Sequence, residues 1–143
     1  MNKIGIAGDH AGFELKATIV KYLQSKGFEV KDFGPFSADS VDYADFAHPL
    51  ANEIENNQLD LGILICGSGN GINMTANKHQ GVRSALCWLP ELAALAKQHN
   101  NANVLSLPAR FIEEDVALKC VEEFITNEFE GGRHQKRIDK IPV

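Results

Sequence analysis

The sequence predicts an α/β domain of three layers, with a five-stranded parallel sheet between helices on both faces. Three observations carry this. Apolar runs alternate with amphipathic stretches five times along 143 residues. The central run, Leu61 to Ile65, is apolar throughout, and glycine-rich turns stand where two of the strands pass into helices. Each strand-to-strand crossover is right-handed and lays its helix on the sheet, so both faces are covered.

The elements follow in order. Ile4 to Ala7 is a short strand, and Gly8-Asp9-His10-Ala11-Gly12 turns into a helix whose Leu15, Ile19, Tyr22 and Leu23 recur at i, i+4, i+7 and i+8. Gly27 is its natural stop. Phe28 to Phe33 alternates apolar and charged residues like a strand at a sheet edge, and Gly34 to Asp42 reads as a loop. Ala47, Leu50, Ala51 and Ile54 mark the next helix, before the strand that ends at Cys66. Arg83 to Trp88 is a further strand, followed by a helix opening at Pro90 with Leu92, Leu95, Ala96 and His99 on one face. Val104 to Leu107 is the last strand; Val116, Ala117, Cys120, Val121 and Phe124 give the last long helix its core stripe. The tail from Glu130 has no such stripe. The chain is read as one domain over 1–143, with 131–143 a C-terminal tail.

A net charge of -5 gives no electrostatic footprint for nucleic acid. No run approaches the ~18 apolar residues needed to span a bilayer, and Met1 to His10 lacks a secretion signal's pattern. Cys66, Cys87 and Cys120 form no C-x-x-C pair and no metal-ligand spacing with histidine, so a reducing cytoplasm is the expected setting.

The chemistry concentrates at Cys66, which enters the loop Gly67-Ser68-Gly69-Asn70-Gly71 ahead of a helix. Three glycines in five residues let successive peptide N–H groups point at one spot, and the helix start adds its positive end. That spot suits an anion. The same field favours thiolate, and cysteines so placed fall from about 8.5 to roughly 3.5–7.5 in pKa. The competing readings are a buried cysteine at a packing turn, and a dinucleotide loop, whose fingerprint belongs after the first strand with an acidic residue ~20 positions on.

Asp9 and His10 stand at the first strand-to-helix turn, where a carboxylate also serves as a helix cap. If the first and third strands are neighbours, both share a crevice with Cys66 to Gly71. His99, on the apolar stripe of its helix, is a core histidine by default; Asn100, Asn101 and Asn103 beside it also allow it to face the crevice. Arg133 and Arg137, spaced i, i+4, present two guanidinium forks that suit a phosphate, against the plainer reading of a solvated basic tail. Arg110 is a single further candidate. His48, His79, Cys87 and Cys120 are assigned no chemistry.

Several separated segments resemble one family. G-D-H-A-G-F-E-L-K, D-Y-A-D-F, I-L-I-C-G-S-G-N-G-I, A-N-K, Q-H-N-N-A-N-V-L and E-G-G-R-H-Q-K-R, in that order and over nearly the whole chain, resemble the B-type ribose 5-phosphate isomerases and their galactose 6-phosphate isomerase relatives. The resemblance implies a metal-free, cofactor-free aldose–ketose isomerase working through an enediolate on a Rossmann-like sheet ordered 2-1-3-5-4. It also implies a homodimer whose sites lie between subunits, and the sequence leaves open whether dimers pair into a tetramer.

By position, Cys66 matches the base that moves a proton between C1 and C2, and Ser68 with the Gly67, Gly69, Asn70 and Gly71 backbone matches the enediolate cradle. His99 matches the ring-opening residue. Asp9 and Tyr43 match groups that hold sugar hydroxyls, with Asn100 contributing. His10, Arg110, Arg133 and Arg137 match the phosphate clamp. Where some members carry a glutamate base after the glycine loop this chain has Ile72, which places it with the cysteine type. Cys87-Trp88-Leu89-Pro90 and Ser106-Leu107-Pro108-Ala109-Arg110 depart from the family pattern and leave the sugar open, allose 6-phosphate and galactose 6-phosphate included. The rival functions are a non-catalytic nucleotide-binding module and one subunit of a two-chain isomerase.

Overall fold

The structure is a computed structural model that describes residues 3–143. Its sheet has five parallel strands in the order β2-β1-β3-β5-β4. These are β1 (Lys3–Gly8), β2 (Glu29–Asp32), β3 (Leu61–Cys66), β4 (Ser84–Leu86) and β5 (Val104–Pro108). Alternation along β3 divides the core. Leu61, Ile63 and Ile65 face one side with Ile4, Ile6, Leu105 and Leu107, packed under α1 (Phe13–Ser25), α4 (Pro90–Asn100) and α5 (Glu114–Thr126). Leu64 and Cys66 face the other side, under α2 (Tyr43–Glu55) and α3 (Asn70–Ala76).

The strand expected over Phe28 to Phe33 is the edge strand β2, and Gly27 ends α1 at φ 90°, a conformation that glycine adopts without cost. β4 is shorter than expected, because only Ser84 to Leu86 pairs with β5; one more bond follows, from the Cys87 N–H to the Ser106 carbonyl at 3.0 Å. The stripe expected on α4 is corrected. Its buried residues are Ala93, Ala96 and Lys97, about one position round from Leu92, Leu95 and His99. Small alanines let α4 and α5 approach closely, and the Lys97 ammonium reaches over the Phe124 ring at 5.3 Å. The C-terminal segment also departs from expectation. It forms α6 (Arg133–Ile138), which buries Ile138.

Because β1 and β3 are neighbours while α1 and α3 leave them on opposite faces, a crevice opens at their C-terminal ends.

Candidate active site

Cys66 is the last residue of β3 and only 4% exposed. The chain then turns through Gly69 at φ 78°, where an added Cβ would strike the Leu86 side chain and approach the Leu107 backbone. That left-handed turn aims the peptide N–H groups of Ile72, Gly69 and Gly71 at the Cys66 sulfur. The thiol and the amide fan therefore converge as the glycine spacing predicts. The proton balance is corrected, however. Burial pushes the Cys66 thiol above its ordinary pKa and outweighs the three amides, and the Asp9 carboxylate adds to the rise. The nest offers hydrogen bonds that favour a negative charge while the dry pocket resists forming one.

Asp9 caps the short 3₁₀ turn His10–Gly12: its Oδ1 accepts from the Ala11 N–H at 2.9 Å and the Gly12 N–H at 3.3 Å. The carboxylate is held beside Cys66 by its own backbone, whose N–H donates to the Ile65 carbonyl. Capping and proximity to the thiol coexist. At His10, the Val41 N–H donates to Nδ1 at 3.2 Å, so Nδ1 is the acceptor and Nε2 carries the proton. The loop after β2 thereby turns this imidazole into a hydrogen-bond donor.

On the other side of the loop, Arg110 follows β5 on a second 3₁₀ turn, and its side chain lies over Gly67. Tyr43, at the start of α2, places its hydroxyl 2.7 Å from where a Cβ on residue 71 would stand, so only glycine leaves room for it. Ser68 accepts the Asn70 N–H at 3.2 Å and fixes the loop's exposed corner. Beside it a cavity of about 350 Å³ is lined by Ser68, Asn70, Leu86, Trp88, Pro108 and Phe111. Thus Asp9, His10, Tyr43, Arg110 and the residues 66–71 meet at one end of the sheet. The apolar wall of Leu86, Trp88, Pro108 and Phe111 was not singled out from sequence, apart from the family departures around Trp88 and Pro108.

His99, Asn100, Arg133 and Arg137 lie elsewhere. A helix returning between parallel strands runs back to their N-terminal ends, so the end of α4 delivers His99 and Asn100 to the opposite rim of the sheet. There the Asn103 carbonyl accepts the Gly62 N–H at the start of β3, and Arg83 donates to the Asn100 and Asn101 carbonyls. From Gly62 to Cys66 the strand rises roughly 13 Å at about 3.3 Å per residue. His99 is neither the core histidine of the default reading nor a wall of its own chain's crevice: its side chain is 40% exposed and stacks on His134, ring centroids 4.3 Å apart. α6, which carries Arg133 and Arg137, packs against this same end of α4 through a pocket lined by Arg83, Asn101, Gln135, Ile138 and Asp139. Desolvation, His99, Arg133 and Arg137 hold the His134 imidazole below its usual range. His134 lies within the E-G-G-R-H-Q-K-R segment, and nothing in its spacing marks it as a partner of His99.

The chain matches the ribose/galactose isomerase family over residues 4–141. It belongs to that family. Among ribose/galactose isomerases, a probable ribose-5-phosphate isomerase B of Mycoplasma genitalium is 51% identical over 96% of this chain and 92% of its own length. Ribose-5-phosphate isomerase B of Escherichia coli is 41% identical over 99% and 95%. The crystal structure of a ribose 5-phosphate isomerase from Thermotoga maritima superposes with a TM-score of 0.97 at 49% identity, covering 99% of this chain and 97% of that one. The Mycoplasma genitalium enzyme solved with bound ribulose-5-phosphate gives 0.93 at 50%, covering 97% and 93%. The Rossmann-like sheet order 2-1-3-5-4 expected from the family is the one observed.

Proposed function

We propose that the chain is an aldose–ketose isomerase interconverting ribose 5-phosphate and ribulose 5-phosphate, with Cys66 as the base that moves a proton between C1 and C2. The observation that carries this reading is the convergence of the Ile72, Gly69 and Gly71 amides on the Cys66 sulfur. Abstracting a proton next to a carbonyl is hard chiefly because negative charge appears on oxygen. Donors aimed at such an oxyanion are worth about 2.7–4 kcal/mol each, and a positioned base contributes roughly 10²–10⁴-fold. In the forward direction the thiolate takes the C2 proton, the C1 carbonyl becomes the enediolate oxygen, and the loop amides with Ser68 hold that oxygen. The thiol then returns its proton to C1 while the C2 hydroxyl gives up its proton and O1 takes one, which leaves the C2 carbonyl of the ketose. Asp9 and Tyr43 hold sugar hydroxyls, and the protonated Nε2 of His10 with Arg110 meets the phosphate.

His99, which opens the furanose ring, and Asn100, Arg133 and Arg137 stand at the far rim of their own subunit. They therefore serve a second copy, in a homodimer whose tail, 131–143, completes the partner's phosphate clamp. Exposed apolar side chains at the crevice mouth support this: Phe36, Tyr43, Trp88, Leu89 and Phe111 are each more than 40% exposed. Among the described residues no helix is long and apolar enough to cross a membrane. The test is turnover of ribose 5-phosphate by the purified chain and its Cys66→Ala variant. Activity lost by about two orders of magnitude or more supports the base; conversion within a few-fold of the parent removes it. The same assay with allose 6-phosphate and galactose 6-phosphate decides whether the Trp88 and Pro108 wall favours a longer sugar.

A further inference from the structure

We propose that His99, Glu130 and His134 form a binding site for a divalent transition-metal ion of the zinc type. Their ligand atoms, one from each residue, all lie within 4.8 Å of one another. Glu130 Oε1 stands 3.6 Å from His99 Nε2 and 3.9 Å from His134 Nε2, so one carboxylate oxygen faces both imidazole nitrogens. Across a tetrahedral zinc ion with bonds of about 2.0–2.2 Å, neighbouring ligand atoms are roughly 3.3–3.6 Å apart. The pairs with Glu130 need to close by only a few tenths of an ångström.

Glu130 and His134 are i,i+4 partners, but the full set was invisible as a spacing because it joins the end of α4 to the loop before α6 and the first turn of that helix. The backbone builds that junction: the Glu130 N–H donates to the Gln98 carbonyl at 3.0 Å, and the His134 N–H donates to the Gly131 carbonyl at 3.3 Å. His134, with a side chain 11% exposed, is the fixed ligand, whereas His99 at 40% and Glu130 at 53% are free to adjust. Adjustment is needed. The two rings stack within 12° of parallel, and binding splays them so that both lone pairs meet the ion while a fourth position stays open to water. Arg133 and Arg137 stand on the same short helix and oppose a cation. Two imidazoles and one carboxylate therefore select ions with high affinity for nitrogen, such as Zn²⁺, Ni²⁺ and Co²⁺, over Mg²⁺ and Ca²⁺.

Binding stands on its own geometry. Its consequence rests on the proposed function: an ion held by His99 removes the imidazole that opens the sugar ring, so the ion inhibits.

Co²⁺ is the probe, titrated into the full-length protein without substrate. The visible d–d absorption of a four-coordinate ion at one equivalent per chain is the expected result. Loss of even an outer-shell partner costs 10–100-fold in metal affinity, so Glu130→Gln and His134→Asn are expected to weaken binding by at least about ten-fold. A wild-type titration without such absorption, or equal binding by both variants, overturns the site. So does a thiolate-to-cobalt charge-transfer band that vanishes in Cys66→Ser, which would place the ion on the sulfur. In the activity arm, Zn²⁺ suppresses turnover reversibly on chelation, and Glu130→Gln, active without metal, needs about ten-fold more Zn²⁺. If the chain turns over no sugar phosphate, the isomerase reading fails while the cobalt spectra still decide the site.

Discussion

The Arg110 side chain lies across Gly67: its Nη1 is 3.1 Å from where a Cβ on residue 67 would stand, and the Gly67 carbonyl accepts the Arg110 N–H at 3.0 Å. One residue thereby ties the β5 turn to the Cys66 loop and sets a guanidinium over it. Gly67→Ala displaces only the far part of that flexible side chain. The expected outcome is a raised KM for ribose 5-phosphate with a melting temperature within a few degrees of the parent, measured by steady-state kinetics and calorimetry.

Gly69→Ala contrasts with it. The residue sits at φ 78° with the Leu107 backbone carbon 3.2 Å from the added methyl, which cannot move aside as a side-chain tip does. Strain and overpacking together cost about 1–3 kcal/mol or more. Urea unfolding is expected to show that loss, and activity falls with it because the amide fan loses its aim.

The three thiols are all buried and differ in proton affinity. Burial pushes Cys87 up to about 12, with Cys120 adding to the rise, and burial pushes Cys120 up to about 11. Unfolded thiols ionise near 8.5, so the folded state keeps its advantage from these groups below that pH and loses it progressively as pH rises toward 11 and 12. Alkaline unfolding that begins above about pH 8.5 is expected. Cys66, also raised, limits catalysis on the acid side: kcat/KM increases with pH through a value above the ordinary thiol range, in parallel with Cys66 alkylation followed by mass spectrometry.

Glu55 links α2 to the turn after α3. Its Oε2 accepts the Gly81 N–H at 3.0 Å, its Oε1 meets His79 Nδ1 at 2.8 Å, and His79 Nε2 meets His48 Nδ1 at 2.7 Å. The Gly81 and His79 hydrogen bonds lower the Glu55 pKa. A lowered carboxyl stabilises the fold above its unfolded value near 4.3 and ceases to do so as pH falls through the folded value. Glu55→Gln is expected to lose stability at neutral pH and to show a shallower decline below pH ~4.3 in acid unfolding.

The fold was legible because β3 is apolar throughout, its neighbours β1 and β5 are nearly so, and Gly27 and Gly69 sit where the chain turns at positive φ. α4 was misread by one position because alanine periods are weak, and Lys97 is buried on the face that Ala93 and Ala96 share. The Cys66 proton balance failed for a physical reason: an amide count gives the attraction for a thiolate, but desolvation depends on burial that no local pattern reveals. His48 and His79, assigned no chemistry from the sequence, are bonded to each other only because α2 and the loop after α3 pack together. His99 with Glu130 and His134 is likewise a tertiary product.

Because Cys66 and His99 stand at opposite rims of one subunit, complementation between variants tests the shared site. Cys66→Ala and His99→Asn proteins, each inactive alone, are mixed after reversible dissociation and assayed on ribose 5-phosphate. In a two-fold dimer with sites shared between subunits, half of a random mixture is mixed dimers, each keeping one intact site, so activity returns to about a quarter of wild type. A mixture as inactive as its parents, once exchange of subunits is verified by mass, contradicts the shared site.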